Sequence, residues 1–107
     1  KLDNGDTEQL FTAGKTRQLV TSKKMSAAEN IVFLARRCRK YGRNIHGVNA
    51  ITEEIYDEAF EIAKVLDANS TMHDNTPLPL YGVPISVKDH FSVKGTYATG
   101  GMACRLK

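Results

Sequence analysis

A lysine stands where an apolar strand pattern ends. Val83, Ile85 and Val87 alternate with Pro84, Ser86 and Lys88, and Asp89 and His90 follow. Strict alternation is the period of a strand that buries one face, which puts Lys88 on the face opposite the valines. An amine at the end of an apolar strand can be drawn out of water, which favours its neutral form, and a neutral amine can act as a base. The same pattern admits a plainer reading, in which Lys88 caps the strand and points to solvent as most lysines do. Pro84 offers no N–H, so a strand Tyr81 to Asp89 lies at a sheet edge or begins there. A second short segment, Phe91 to Lys94, runs on to Gly95.

Two amphipathic helices precede this stretch. Ser26 and Glu29 form a capping box, and Ala27, Ile31, Leu34, Cys38 and Tyr41 recur at helical spacing, which predicts a helix from Ser26 to Tyr41 ended by Gly42 as a left-handed cap. Arg36, Arg37, Arg39 and Lys40 crowd its last turn, with Arg43 beyond; cations favour a helix C-terminus and solvate an outer face. A second helix is expected from a Thr52 cap to about Ala68. Its buried stripe is Ile51, Ile55, Ala59, Ile62 and Leu66, widened by Tyr56, Phe60 and Ala63, and Glu53 and Glu54 sit in its first turn. Glu54, Asp57, Glu58 and Glu61 read as a solvated face and not as catalytic acids. Asn44 to Ala50 connects the two helices, and Asn69 to Thr76 is a polar loop before Pro77 and Pro79. Lys1 to Lys24 reads as a loosely helical arm, with openings at Asp6 to Phe11 and Thr16 to Val20 interrupted by Gly5 and Gly14; its polar content suits a segment lying across a surface made by other residues.

The block Leu80, Gly82, Pro84, Ser86, Val87, Lys88 and Asp89, followed by Val93-Lys94-Gly95 and Thr99, resembles the first signature block of the amidase signature family. Upstream, Val48-Asn49-Ala50-Ile51-Thr52 and the acidic helix ending Ala63-Lys64-Val65-Leu66-Asp67 are similar to the family's lead-in, so the likeness covers Val20 to Met102. Leu80, Ile85 and Tyr97 give the block an acetamidase or fatty-acid-amide-hydrolase character. The resemblance implies an α/β fold with helices around a mixed sheet. Residues 1–107 would then be an N-terminal fragment of one amidase domain: the arm 1–24, the helical pair 26–68, and the signature strand and turn 80–101.

The chemistry it implies is amide hydrolysis by a nucleophilic serine, a bridging serine in a cis peptide, and a lysine, with Lys88 matching that lysine and no cofactor required. The serine-bearing segment of the family does not occur in these 107 residues. Ser86 shares a strand face with Lys88, but residues two apart on a strand are about 6 to 7 Å apart, too far for a direct hydrogen bond. Ser92 lies past the turn. The 107 residues alone are therefore expected to be inactive. The resemblance leaves two alternatives: the amidase subunit of a glutamine-dependent aminoacyl-tRNA amidotransferase, and a truncated interaction module that catalyses nothing.

Composition fits a folded chain: 41% of residues are hydrophobic and 25% charged, with a net charge of +3 that makes no case for nucleic acid. No apolar run approaches the roughly 18 residues of a membrane span. Cys38 and Cys104 have no metal spacing and read as free thiols of a reducing compartment, the cytoplasm. His46, and the neighbours His73 and Asp74, lack convergent ligands for a metal. Asn69-Ser70-Thr71 satisfies the glycosylation tripeptide but is expected to stay unmodified. The chain opens on Lys1, as a trimmed or processed product would. A lone strand and two amphipathic helices need more surface than they provide. The expected partners are a small-molecule amide and either the remainder of the amidase chain or a second copy.

Overall fold

The computed structural model describes residues 10–43, 45–69 and 78–106. The expected helix opening at Asp6, the tripeptide's Ser70 and Thr71, the His73–Asp74 pair and Pro77 lie outside them.

Helix α1, Ala13–Thr21, is capped by the Thr12 hydroxyl, which accepts the Lys15 N–H at 3.2 Å. Gly14 lies inside it, so this glycine does not interrupt the helix as its propensity suggests. Helix α2, Ala27–Arg37, begins at Ser26, whose hydroxyl accepts the Glu29 N–H at 3.3 Å. The expected cap is present, but the helix does not run regularly to Tyr41. It widens into a π-helical turn, Cys38–Gly42. Gly42 has no positive φ and is buried. A Cβ there would stand 2.8 Å from Ile51, and its carbonyl receives the Ile51 N–H at 3.1 Å. Close approach of the returning chain, and not a left-handed cap, accounts for this glycine.

Helix α3, Tyr56–Ala68, starts three residues later than a Thr52 cap predicts, and Ile55 caps it without a side-chain bond. Glu53 and Glu54 precede it because their carboxylates are engaged elsewhere, as described below. The buried face is also rotated from the expected one. Ala63 is buried and Tyr56, Ala59, Phe60 and Leu66 are half-buried, whereas Ile55, Ile62 and Val65 are exposed. On α2, Ala27 and Asn30 are buried, and Tyr41 in the π-helical turn is exposed.

The core is small. Val20 of α1, Ala27 of α2, Ala63 of α3 and Tyr81 form it, with Met25, Ala28, Ile31 and Leu66 packed around them. Alanines facing one another let α2 and α3 lie close. The radius of gyration, 15.7 Å, exceeds the roughly 13 Å of a compact domain of this length. Many large apolar side chains stay at the surface, among them Ile62, Val65, Ile85, Val87 and Phe91.

Among the described residues there is no β-strand. The expected strand Tyr81 to Asp89 is instead a turn through Gly82, a run over residues 83–88 without regular secondary structure, and a second turn at Asp89. Residues 91–97 carry turns and no strand. The alternation of Val83, Ile85 and Val87 is that of a strand, but a ladder needs a neighbour, and the described chain offers none. With no second layer, Ile85 and Val87 are exposed.

The C-terminal end of α3 holds the N-terminal end of α2. One Asp67 oxygen accepts the Ala27 N–H at 2.8 Å; the other accepts the Ser26 hydroxyl at 2.6 Å and the Ala28 N–H at 3.0 Å. The carboxylate thereby satisfies donors that an α-helix leaves unpaired and sits at the positive end of the α2 dipole. Lys23 donates to the Asp67 carbonyl at 2.9 Å, and the Tyr81 hydroxyl donates to the Leu66 carbonyl at 2.7 Å. Gly82 follows in a left-handed conformation, φ +69°, where a Cβ would stand 2.7 Å from Val20.

Two outcomes follow. Burial works to raise the Asp67 carboxyl, but the bonds from Ser26, Ala28 and Ala27 prevail and hold it below its ordinary value of 3.8. A lowered folded value means that its stabilisation is complete above the unfolded value and is lost as pH falls toward the folded one. Asp67→Ala is expected to cost about 1 to 2 kcal/mol in a denaturant melt at neutral pH and to flatten the loss of stability below about pH 4; an unchanged midpoint and acid limb would contradict the capping role. Gly82→Ala is expected to cost about 1 kcal/mol or more in the same melt, and a neutral result would contradict the close approach to Val20.

Candidate active site

Lys88 closes the run 83–88 and is exposed. Its carbonyl accepts the Phe91 N–H at 3.0 Å, which closes the turn after it. Asp89 then ties the following loop back on itself. One carboxylate oxygen accepts the Thr99 N–H at 3.1 Å, the other accepts the Thr99 hydroxyl, and the Asp89 carbonyl receives the Gly100 N–H at 3.4 Å. The Thr99 hydroxyl oxygen in turn accepts the Gly101 N–H at 3.1 Å. Gly100 and Gly101 both have positive φ, 56° and 82°, a succession that side chains rarely allow. The Thr99 hydroxyl first, and then its N–H, hold the Asp89 carboxyl below its ordinary value.

The loop is clamped to the helices from the other side. The Glu53 carboxylate accepts the Tyr97 N–H at 3.1 and 3.3 Å. Beside it, Glu54 pairs with Arg39 at 3.0 Å and with Arg43 at 3.4 Å. The Glu54 side chain is only 15% exposed, so it is not part of a solvated face. Its hydrogen bond to Arg39 holds its carboxyl below the ordinary range against the opposing effect of burial. Two cations of the basic cluster are thus spent inside the chain, while Arg37 and Lys40 lie over the Tyr41 ring at 5.2 and 4.9 Å. Arg39, Arg43, Thr52, Glu53, Glu54, Tyr56, Asp57 and Gly95 line a shallow polar hollow of about 450 Å³. Among the described residues the buried Tyr56 hydroxyl, which lines it, has no hydrogen-bond partner. Burial, and then the neighbouring Cys38 thiol, push it up to about 12.

The structure brings Lys88 together with Asp89, Thr99 and the glycine pair, and it does not bring a serine to the lysine. Ser86 and Ser92 are both exposed, and among the described residues no hydrogen bond joins either one to Lys88. Nor does any group of three or more His, Cys, Asp or Glu side chains converge among the described residues, and no described helix is long and apolar enough to cross a membrane. What can be done here chemically rests on an amine carried on a braced turn. Sequence reasoning gives Glu53 and Glu54 to a first helical turn and a solvated face, and assigns Asp67 no contact. A signal for Asp67 existed: an acid at the negative end of its own helix is out of place unless it serves another element.

Comparison with known proteins agrees with the block that contains Lys88. The family model described as Amidase matches residues 33–107. Among similar proteins, "Amidase 1" of Gibberella moniliformis is 46% identical over 57 residues, covering 53% of this chain and 11% of its own length. "Amidase 2" of the same fungus is 34% identical over 87 residues, covering 81% of this chain and 16% of its own length. "Probable amidase" of Saccharomyces cerevisiae is 33% identical over 89 residues, covering 83% and 15%. No solved structure matches. The chain belongs to the amidase signature family. It spans less than a fifth of the length of these relatives.

The clamp on the loop is open to direct test. Glu53→Ala is expected to speed hydrogen exchange of the Tyr97 amide by about fivefold, the loss of one net hydrogen bond, while leaving the Thr99 amide unmoved. Equal exchange at Tyr97 in both proteins would contradict the clamp.

Proposed function

We propose that this chain is the lysine-bearing, N-terminal part of an amidase that hydrolyses a carboxylic amide to an acid and ammonia or an amine, and that Lys88 is its catalytic base. The observation that carries this reading is the family match across residues 33–107, within which Lys88 is followed by a braced turn.

In the proposed reaction the neutral Lys88 amine takes a proton from a bridging serine, which takes one from a second serine. The freed serine oxygen attacks the amide carbon, the proton passes to the departing nitrogen, and the C–N bond breaks. The resulting acyl-enzyme is then hydrolysed by water, with Lys88 again moving the proton. Both serines belong to a part of the family's fold that the 107 residues do not contain. In the same reading, residues 83–88 pair with neighbouring strands in a mixed α/β sheet. That sheet covers Ile85 and Val87 and removes Lys88 from water, as a neutral amine requires. The apolar side chains exposed on α3 support a larger body of protein around this piece.

The isolated 107 residues are expected to turn over neither an anilide nor a fatty amide. The full-length chain is expected to hydrolyse a simple amide, with Lys88→Ala lowering kcat by about 100-fold or more. Robust turnover by the isolated chain, or an active Lys88→Ala variant of the full-length one, would contradict the assignment.

A further inference from the structure

Lys88 makes no side-chain hydrogen bond or ion pair among the described residues, and the run 83–88 before it has no ladder. Its place is therefore set by the backbone on its C-terminal side. There the Lys88 carbonyl is engaged by Phe91 and the Asp89 carbonyl by Gly100, so the turn is held at both residues. The Asp89 side chain completes the brace by taking two donors of Thr99 at once. Only a carboxylate offers two acceptor oxygens for an N–H and an O–H together; an amide of the same shape offers one.

We propose that Asp89 is a positioning residue for Lys88: through Thr99 it fixes the turn from which the lysine amine is presented to the reaction. This rests on the reading of Lys88 as the catalytic base. Asp89 itself touches neither the substrate nor the reacting atoms. Displacing a catalytic group by about 1 Å costs on the order of 100-fold in rate, so a loosened turn is felt in the chemical step and little in binding.

The test uses the full-length enzyme, with rates expressed per active site and each variant's thermal midpoint recorded. Asp89→Asn is expected to lower kcat by about 10- to 100-fold with KM within about twofold of the parent. Thr99→Val, which keeps the N–H but removes the hydroxyl, is expected to fall in the same direction, and Thr99→Ser to restore the rate. In the Lys88→Ala background Asp89→Asn is expected to cost nothing further, because a residue that acts only through the lysine has nothing left to position. If Asp89→Asn keeps the parental kcat while Lys88→Ala is inactive, the positioning role is overturned and the catalytic lysine stands. If Asp89→Asn lowers the rate equally with and without Lys88, its effect is merely structural and the role is again overturned. An active Lys88→Ala variant overturns the catalytic lysine, and the positioning role falls with it.

Discussion

The described structure depends on the Asp67 carboxylate. It sits where the end of one helix meets the beginning of another, and it takes hydrogen bonds from Ser26, Ala27 and Ala28. Because those donors would otherwise face a mostly apolar contact between α2 and α3, an unpaired Asp67 site would be costly. Lys23 and Tyr81 reach the same corner from α1 and from the start of the signature block. One junction thus orders three helices and sets where the segment leading to Lys88 departs.

From that departure point the chain is braced by polar contacts more than by burial. Glu53 grips Tyr97, Asp89 grips Thr99, and Glu54 draws Arg39 and Arg43 across the π-helical turn. The run between Gly82 and Asp89 belongs to no strand, and its residues 85–88 are exposed. In the proposed reading a mixed sheet covers Ile85 and Val87, both exposed here. The turn after Lys88 is braced within the described residues themselves, through Asp89 and Thr99.

How much of this was legible in the sequence differs by element. The capping box at Ser26 and Glu29 located the start of α2, because a cap is a local bond with a local signature. The start of α3 was misplaced at Thr52, since Glu53 and Glu54 are good first-turn residues whose partners, Tyr97 and Arg39, are remote in the chain. The stripe through Ile55 and Ile62 was read as buried from its spacing; the face that meets α2 is set by Ala63 and Phe60, and spacing alone does not distinguish neighbouring faces of a helix with apolar residues on both. The strand pattern at Val83 to Val87 has no strand to match it among the described residues, because pairing is a property of the partner strand. Lys88 was visible through the resemblance of its block, whereas the bond from Asp89 to Thr99 was not, because it closes across a ten-residue loop.

In the proposed reaction Lys88 acts in a proton relay with two serines that lie outside these 107 residues. A crystal structure of the full-length protein tests it most directly. The account predicts residues 83–88 paired within a sheet, and the Lys88 Nζ enclosed and within about 2.6 to 3.2 Å of a serine hydroxyl. A Lys88 that still faces solvent in that structure, with no serine within reach, would contradict it.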